Sequence, residues 1–327
     1  MFLFSMQPRD KPLTGWWAAG LLCLFVLYLS GCDPTALSGS PVALNPTASI
    51  TPIAPLASQV IPSVTASPLP VILDTPSPQF SPTPTPLACW RSGGSFESGA
   101  LETELLRHPL EFRVYLPPCY AEQAERAYPV LYLIHGQSFN DDQWERLGAG
   151  QIAGELAASG ELPPFLIVMP RDRLWSEPTD DRFGQAVVEV LLPWIESSYR
   201  TLPQREFRAV GGLSRGAAWA LHLGLTYPEL FSAVGMHSGF AFHSDTPYVR
   251  RWLEAIPAPV MPRFYLDIAN NDRPDIYESA VWLESLLTGY NIPHEWHIFT
   301  GYHEEAYWQA HVAQYLRWYA EEWAVQP

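Results

Sequence analysis

A regular alternation of short apolar runs with longer amphipathic segments begins at residue 110 and most constrains how this chain can fold. The short runs are rich in β-branched and aromatic residues, which favour strands, and the longer segments carry apolar residues at helical spacing. We predict strands over residues 110–116, 129–134, 165–169, 207–211, 233–237, 264–269 and 295–299, and helices over 183–199, 216–226, 276–290 and 305–323. This order predicts an α/β fold with a mostly parallel sheet and helices on both faces.

Two local departures from this regular pattern are also predicted. The first strand is expected to belong to an antiparallel hairpin at the sheet edge, joined near His108 and Pro109. Pro193 lies inside a helical pattern. Because proline lacks an amide hydrogen and its ring clashes with the preceding turn, we predict a kink there.

The amino-terminal residues resemble an export signal. Arg9 and Lys11 precede an apolar run over 16–29, which is short for a bilayer span but typical of a signal peptide. The run ends in Leu-Ser-Gly-Cys32, which resembles the bacterial lipobox, where the cysteine is acylated and the chain is cut before it. We therefore predict a lipoprotein signal peptide over 1–31 and a lipid anchor on Cys32, attached to a bacterial membrane outside the cytoplasm. An uncleaved membrane anchor is the alternative, and the membrane surface used is left open.

Pro, Ser, Thr and small apolar residues dominate residues 32–88. Such a composition offers little surface to bury, and its prolines favour extended conformations that act as semi-stiff tethers. We predict a disordered linker here, with glycosylation or a proline-recognising partner as alternatives. One folded domain is then predicted over 89–327.

The four cysteines have different expected roles because of where they lie. Cys23 falls within the predicted signal and Cys32 is the predicted lipidation site, which leaves Cys89 and Cys119 in the folded domain. Two thiols in an oxidising compartment predict a disulfide, and two buried free thiols are the alternative.

Composition excludes several classes of function. The formal net charge of -15 disfavours a nucleic acid partner, because binding phosphates requires clustered Lys and Arg. Lys11 is the only lysine, so the folded domain has no amine for Schiff-base chemistry. No pair of histidines at helical spacing has a third ligand beside it, and the sequence has no glycine-rich phosphate loop. We therefore predict neither a metal nor a cofactor.

The residues from Gly212 to Gly216 form the motif Gly-x-Ser-x-Gly between a predicted strand and a predicted helix. In this context the motif is a nucleophile elbow, whose tight turn needs glycine where a side chain would collide with neighbouring backbone. We predict Ser214 as the nucleophile. The backbone N–H of Arg215, at the positive end of the helix, is one predicted oxyanion donor. The alternative is a glycine-rich turn that carries an ordinary serine.

A second part of the site is expected where the strand 129–134 ends in His135-Gly136-Gln137. In this kind of site the loop after an early strand supplies the other oxyanion donor, and the backbone N–H of Gln137 is our candidate. His135 is expected to pack beside the site and not to act as the base.

The chain order nucleophile, acid, base restricts the other two catalytic residues, each of which should follow a strand at its carboxyl end. Asp272 follows the strand 264–269 and is the predicted acid. Asp275 is the second choice for the acid, since its expected role is to cap the next helix. His303 follows the last strand, in a glycine-containing loop, and is the predicted base.

Other histidines fit the base less well. His294 and His297 fall within a strand and His311 within a helix, where packing or surface roles are expected. His237 and His243 follow a strand but precede the acid in the chain.

From about residue 110 onward the chain resembles the esterase family of α/β-hydrolases, which includes feruloyl and acetyl xylan esterases, siderophore esterases, S-formylglutathione hydrolases and mycolyltransferases. The resemblance rests on residues 113–118, 128–136, 141–144, 192–195, 211–216 and 227–231, and on His303 followed by Trp308. It implies the triad Ser214, Asp272 and His303, with the amides of Gln137 and Arg215 as the oxyanion hole.

The elbow departs from the family pattern, because Arg215 and Ala217 stand where relatives usually have Met and Gly. We expect the Arg215 side chain either to contact an anionic substrate or to lie solvated over the cleft.

These assignments predict an extracytoplasmic serine esterase that hydrolyses a carbohydrate, phenolic or other small ester through an acyl-enzyme. Trp144 and Trp175 are candidates for stacking on a sugar or an aromatic acid. Two alternatives are left open: an acyltransferase that uses the same triad, and a surface-anchored binding protein that has lost turnover. The oligomeric state is left open as well.

Overall fold

A computed structural model of the protein describes residues 88–325. The predicted signal peptide, Cys32 and all but the last residue of the predicted linker lie outside the described residues. Within 88–325, none of the helices combines the length and apolar character that crossing a bilayer requires.

The strands of this described part form one eight-stranded sheet with the order β1-β2-β4-β3-β5-β6-β7-β8. Its strands are β1 (Ser95–Leu101), β2 (Leu110–Leu116), β3 (Val130–Ile134), β4 (Leu166–Pro170), β5 (Arg208–Leu213), β6 (Ala233–His237), β7 (Arg263–Ala269) and β8 (His294–Phe299). β2 is antiparallel to both β1 and β4, whereas all the other neighbouring pairs are parallel. The predicted α/β fold and its hairpin edge are therefore confirmed.

The predicted strands agree with the observed ones to within two residues at each end. β1 had no predicted bounds, because its sequence Ser-Phe-Glu-Ser-Gly-Ala-Leu lacks the apolar character of the other strands. It lies at the sheet edge, where most of its residues are exposed, so burial does not dictate an apolar composition.

The helices are α1 (Gln143–Arg146), α2 (Ala149–Ala158), α3 (Phe183–Ala186), α4 (Leu192–Ser198), α5 (Arg215–Thr226), α6 (Thr246–Ala255), α7 (Pro274–Gly289) and α8 (Glu305–Ala320). α5, α7 and α8 match predicted helices to within three residues at each end, whereas α1, α2 and α6 were not predicted. In place of one helix over 183–199, α3 and α4 are separated by a π-helical turn, Val187–Leu191.

Pro193 lies in the first turn of α4, immediately after the π-helical turn. Proline has no N–H, so in a regular α-helix the carbonyl of Glu189, four residues earlier, would lack its hydrogen-bond donor. Widening the preceding turn is a common way for a helix to absorb such a defect. The interruption falls where the sequence predicts a kink.

Both faces of the sheet are covered. Along β3, Val130, Tyr132 and Ile134 pack into a core beneath α3 to α7, whereas Leu131 and Leu133 pack into a second core beneath α2 and α8. The side chains alternate between the two faces, as they do in any strand. Because both faces are apolar, the central strands appear in the sequence as continuous hydrophobic runs.

Cys89 and Cys119 are joined by a disulfide, with their Cα atoms 5.0 Å apart. The predicted bridge is present, and it ties the short 3-10 turn Ala88–Arg91 to the segment after β2. These two cysteines and Glu122 are also the group of described residues whose atoms approach the spacing of metal ligands. Because a metal binds thiolates, the disulfide removes the group as a metal site.

Candidate active site

Ser214 lies in a strained turn between β5 and α5. Its backbone has φ 53° and ψ -118°, which is unusual for a residue other than glycine. A Cβ atom on Gly212 would lie 2.3 Å from the backbone of Gly216, and one on Gly216 would lie 2.1 Å from the carbonyl oxygen of Ile134. Both glycines of the motif are therefore required, because neither contact involves a side chain that could move aside.

The structure brings Ser214 and His303 together. The serine Oγ lies 2.8 Å from Nε2 of His303, although 89 residues separate the two in the sequence. Ser214 follows β5 and His303 follows β8, so the carboxyl ends of these parallel strands place both side chains at one rim of the sheet. The imidazole Nε2 is thus positioned to accept the hydroxyl proton.

Asp272 lies on the other side of the imidazole, after β7. Its Oδ1 is 2.8 Å from Nδ1 of His303, and its side chain is fully buried. The distance is that of a hydrogen bond, but the angle is poor, and Oδ1 also accepts the backbone N–H of Arg273 at 2.7 Å. Because catalytic hydrogen bonds often become aligned only when substrate binds, the short distance is consistent with Asp272 as the residue that orients the imidazole.

Asp275, the second choice for the acid, does not reach His303. Its exposed carboxylate forms an ion pair with Arg273, with 2.7 Å between Oδ2 and Nη2. Loss of some hydration acts to raise the pKa of Asp275, but the hydrogen bond and the charge of Arg273 outweigh it and lower that pKa. Of the two candidates, the structure therefore places Asp272 beside the imidazole.

Trp308 holds the imidazole from the side. Its ring meets that of His303 edge to face, with the ring centroids 5.0 Å apart and an interplanar angle of 85°. Trp308 belongs to α8, so the terminal helix supports the loop that carries His303. This contact restricts ring rotation about the axis that joins Asp272 to Ser214.

Gln137 and Arg215 line the same cleft as Ser214. Arg215 is the first residue of α5, where a backbone N–H has no partner within the helix. Within the described residues neither of these two N–H groups donates to another group of the protein. The loop that carries Gln137 is held by the N–H of Gly136, which donates to Oε1 of Gln143 at 2.9 Å. An unpaired donor at a helix start and a second one in a loop that lines the same cleft can together stabilise an oxyanion.

The cleft above Ser214 has a volume of about 1090 Å³. Aromatic side chains form much of its wall: Phe139, Trp175, Phe240, Trp282 and Trp308. Several of its charged residues are acidic: Glu177, Asp275, Glu278, Glu304 and Glu305. Phe240 and Trp282 gave no signal in the sequence, because an aromatic residue in a loop or on a helix does not show whether it faces a cleft or a core.

The two tryptophans predicted to stack on substrate lie in different places. Trp175 lines the cleft and is 48% exposed. Trp144 is 1% exposed, and its Nε1 donates to the carbonyl oxygen of Ile134 at 3.1 Å. The prediction for Trp144 is therefore wrong, because its ring is part of the core beneath the site.

The prediction for the Arg215 side chain is wrong as well. It is almost fully buried, and its Nε lies 2.7 Å from Oδ2 of the equally buried Asp172. The guanidinium also donates to the carbonyl oxygen of Ser176. Its charge is neutralised within the protein, so it neither lies in solvent nor presents a free cation to a substrate.

His135 packs beside the site, as expected. Its Nδ1 donates to the carbonyl oxygen of Gly136 at 2.8 Å, and its Nε2 accepts the N–H of Asp172 at 3.0 Å. These partners fix the neutral form of the ring, and burial lowers the pKa of His135. Because both nitrogens are occupied, His135 is not available as a base.

His237 is fully buried in a polar cluster beneath the elbow. Its Nδ1 lies 2.7 Å from Oδ1 of Asp267, and its Nε2 lies 3.0 Å from the hydroxyl of Tyr319. Oδ2 of Asp267 accepts the hydroxyls of Tyr307 at 2.6 Å and Tyr315 at 3.0 Å. The sequence places Asp267 within a strand, but it gives no sign of this cluster, whose members come from β6, β7 and α8.

The sheet order, the elbow and the convergence of Ser214, His303 and Asp272 define the class of protein first: a serine hydrolase arrangement on an α/β-hydrolase fold. The family model described as "Putative esterase" matches residues 103–319, so the chain belongs to that family.

Curated relatives match parts of the chain. The chain is 33% identical over 137 residues to an endo-1,4-beta-xylanase/feruloyl esterase of Xylanibacter ruminicola. The aligned residues make up 38% of this chain and 19% of that relative. The chain is also 35% identical over 190 residues to an esterase of Mycobacterium tuberculosis, which covers 54% of this chain and 38% of the relative. The matches thus span well under half the length of these relatives.

Solved structures share the fold at low sequence identity. A ferulic acid esterase superposes with a TM-score of 0.63 at 20% identity and covers 70% of this chain and 98% of its own. A ferulic acid esterase of Anaeromyces mucronatus in complex with ferulic acid superposes with a TM-score of 0.59 at 20% identity. This superposition covers 72% of the present chain and 93% of the esterase chain. An S-formylglutathione hydrolase of Staphylococcus aureus superposes with a TM-score of 0.55 at 14% identity and covers 69% of this chain and 99% of its own.

Proposed function

We propose that this protein hydrolyses carboxylic esters through an acyl-enzyme formed on Ser214. The observation that carries the proposal is the 2.8 Å contact between the serine Oγ and Nε2 of His303. Asp272 lies 2.8 Å from the other nitrogen of the same ring. Nucleophile, base and orienting carboxylate thus form a continuous chain, which is what serine acyl transfer requires.

The first half of the reaction forms the acyl-enzyme. His303 takes the hydroxyl proton as Ser214 Oγ bonds to the carbonyl carbon, and the carbonyl oxygen becomes an oxyanion between the amides of Gln137 and Arg215. Asp272 stabilises the positively charged imidazole. When the tetrahedral intermediate collapses, the bond to the leaving alcohol breaks and His303 returns the proton to the alcohol oxygen.

The second half of the reaction repeats these steps with water. His303 takes a proton from a water molecule, whose oxygen attacks the acyl carbon, and the oxyanion again lies between the two amides. Collapse breaks the bond to Ser214 Oγ, which recovers its proton from His303. The products are a carboxylic acid and the free enzyme.

The shape of the cleft favours an ester larger than an acetyl ester. Its volume of about 1090 Å³ is at the upper end of small-molecule sites. Aromatic walls such as Trp175 suit stacking on a phenolic ring or a sugar. The acidic residues disfavour substrates that carry their own carboxylate. We therefore propose an uncharged ester of an aromatic acid with a carbohydrate, in keeping with the feruloyl esterase named among the relatives.

We further propose that the enzyme acts outside the cytoplasm, held to a bacterial membrane by lipid on Cys32. The apolar run 16–29 and the Leu-Ser-Gly-Cys sequence that follows support this location. The disulfide between Cys89 and Cys119 gives independent support, because such bridges persist in oxidising compartments.

The activity is tested with p-nitrophenyl acetate, p-nitrophenyl butyrate and methyl ferulate, comparing wild type with Ser214→Ala. We expect wild type to release p-nitrophenol and ferulic acid, and Ser214→Ala to lose nearly all of this activity. No release by wild type, or equal release by the variant, would refute the esterase proposal and favour a binding protein that keeps the fold. A product that appears only when an acceptor alcohol is added would identify an acyltransferase instead.

A further inference from the structure

Trp175, one of the aromatic residues that line the cleft, has a strained backbone. Its φ is 51°, in the left-handed region that bulky residues rarely occupy, and its side chain is nonetheless 48% exposed. Burial of the ring therefore does not compensate for the strain. A conformation of this kind persists only where neighbouring contacts enforce it.

The residues on either side of Trp175 are held by the two partners of one ion pair. The N–H of Leu174 donates to Oδ1 of Asp172 at 3.3 Å. The carbonyl oxygen of Ser176 accepts a hydrogen bond from the guanidinium of Arg215. Asp172 and Arg215 themselves are joined by the 2.7 Å contact between Oδ2 and Nε. The ion pair thus brackets the strained residue.

The ion pair is itself fixed to the core. The indole N–H of Trp219, on α5, donates to Oδ2 of Asp172 at 2.9 Å. The backbone N–H of Asp172 donates to Nε2 of His135 at 3.0 Å. The Arg215 guanidinium lies 5.0 Å from the ring centroid of Phe242. The loop that carries Trp175 is therefore tied to the helix that begins directly after Ser214.

We propose that the Arg215–Asp172 ion pair is a positioning element for substrate specificity. It holds Trp175 in its strained conformation at the cleft wall, where the indole receives the aromatic ring of an ester, so that the pair sets the preference for aromatic over aliphatic acyl groups. This inference rests on the proposed esterase function. The proposal gives the Arg215 side chain a role in specificity although its charge does not contact the substrate.

The test compares kcat/KM for methyl ferulate and methyl butyrate, which share the same alcohol. We expect Trp175→Ala to lower the ferulate-to-butyrate ratio about tenfold, mainly through KM for ferulate, as loss of a stacking contact would. Asp172→Asn should lower the ratio about fivefold, since it weakens the restraint on Leu174 and on Arg215. Combined with Trp175→Ala, it should lower the ratio no further, because both changes act through the same indole.

Two further variants separate positioning from simple loss of stability. The double change Arg215→Met with Asp172→Asn removes both charges together, so that no unpaired buried charge remains. It should give a ratio about as low as that of Asp172→Asn. Glu196→Gln breaks another ion pair of low exposure, that between Glu196 and Arg208 at the opposite end of β5. This matched control should lower the midpoint of thermal unfolding and leave the ratio unchanged.

The inference is overturned if neither variant of Asp172 changes the ratio while Trp175→Ala does, or if the effects of Asp172→Asn and Trp175→Ala simply multiply. An unchanged ratio in Trp175→Ala would overturn it as well. Failure of the proposed function looks different, because wild type would then hydrolyse neither methyl ester.

Discussion

Two histidine–aspartate pairs lie at the carboxyl ends of neighbouring strands in this molecule, and the distances within the two pairs are nearly the same. In one, Nδ1 of His303 is 2.8 Å from Asp272 and Nε2 is 2.8 Å from the hydroxyl of Ser214. In the other, Nδ1 of His237 is 2.7 Å from Asp267 and Nε2 is 3.0 Å from the hydroxyl of Tyr319. Each is a carboxylate, an imidazole and a hydroxyl in line.

What separates the two arrangements is access to substrate and the presence of free hydrogen-bond donors. His237 and Asp267 are fully buried, whereas the His303 side chain is 16% exposed and opens on the cleft. Burial raises the pKa of Tyr319 far above that of a free tyrosine, so its hydroxyl keeps its proton. Ser214 also has the unpaired amides of Gln137 and Arg215 beside it.

A carboxylate, an imidazole and a hydroxyl in line therefore do not by themselves make an active site. Where the three groups are buried between strands and a helix, they stabilise the core. Where they border a cleft and free hydrogen-bond donors lie beside them, they can act on a substrate. We therefore expect variants of the two pairs to fail in different ways, one in turnover and the other in stability.

The largest difference is expected for His303→Ala. Removing the base should lower kcat on the order of 10⁴- to 10⁶-fold, because the members of a triad act as a unit. The urea midpoint should change little, since the ring lies at the rim. Steady-state kinetics with p-nitrophenyl butyrate check the prediction, with His297→Ala on β8 as the control that retains activity. A loss of less than tenfold in His303→Ala would contradict the assignment.

Asp272→Asn is expected to have the next largest effect. An amide still contacts the imidazole but no longer stabilises its charged form, and kcat should fall on the order of 10⁴-fold, as in other triads. Asp275→Asn, three residues away, should change kcat less than about tenfold, because its carboxylate pairs with Arg273 on the surface. If the two variants lose activity to the same extent, the choice between these acids is wrong.

Asp267→Asn should mark the buried pair as structural. The Asp267 carboxylate accepts hydrogen bonds from His237, Tyr307 and Tyr315. The NH2 group of an asparagine cannot accept a hydrogen bond, so at least one of these donors would lose its acceptor. We expect the free energy of unfolding to fall by about 1 to 3 kcal/mol, the cost of leaving a buried donor without its acceptor. Urea unfolding measures this directly. Stability equal to that of wild type would contradict the structural role.

The smallest effect concerns a third imidazole, that of the buried His135. Because burial lowers its pKa in the folded state, the unfolded chain binds more protons just below the ordinary value of 6.5. Stability should therefore fall as the pH decreases below 6.5, by at most about 1.4 kcal/mol per pH unit from this group. Urea unfolding at a series of pH values should show a smaller decrease for His135→Gln. An equal decrease in both proteins would show that His135 does not contribute.

The sheet and the elbow could be predicted from the sequence because each depends on local patterns. The strands of the central sheet are buried on both faces and appear as apolar runs, and Gly212 and Gly216 mark a turn that admits no side chain. Helix α2 was not predicted, and Gly150 and Gly154 interrupt the apolar pattern of its sequence. In the structure, a Cβ atom on either would lie within 3 Å of the Tyr115 ring or its hydroxyl, so these glycines permit close packing.

The parts of the site that could not be predicted depend on partners distant in the chain. Arg215 is buried because Asp172, 43 residues earlier, lies opposite it. Trp144 is buried because its indole reaches the end of β3, and nothing in its neighbouring sequence distinguishes it from the exposed Trp175. Charge and aromaticity are visible in a sequence, but the side on which a residue is covered is decided by tertiary packing.

Labelling with a fluorophosphonate, followed by mass spectrometry of the intact protein and its peptides, tests directly whether Ser214 is the nucleophile. The arrangement at Ser214 predicts one adduct per chain, located on the peptide that contains Ser214, and strongly slowed labelling in His303→Ala but not in a variant of His237 that remains folded. An adduct on another residue, or ester hydrolysis that continues at full rate after Ser214 has been fully modified, would contradict it.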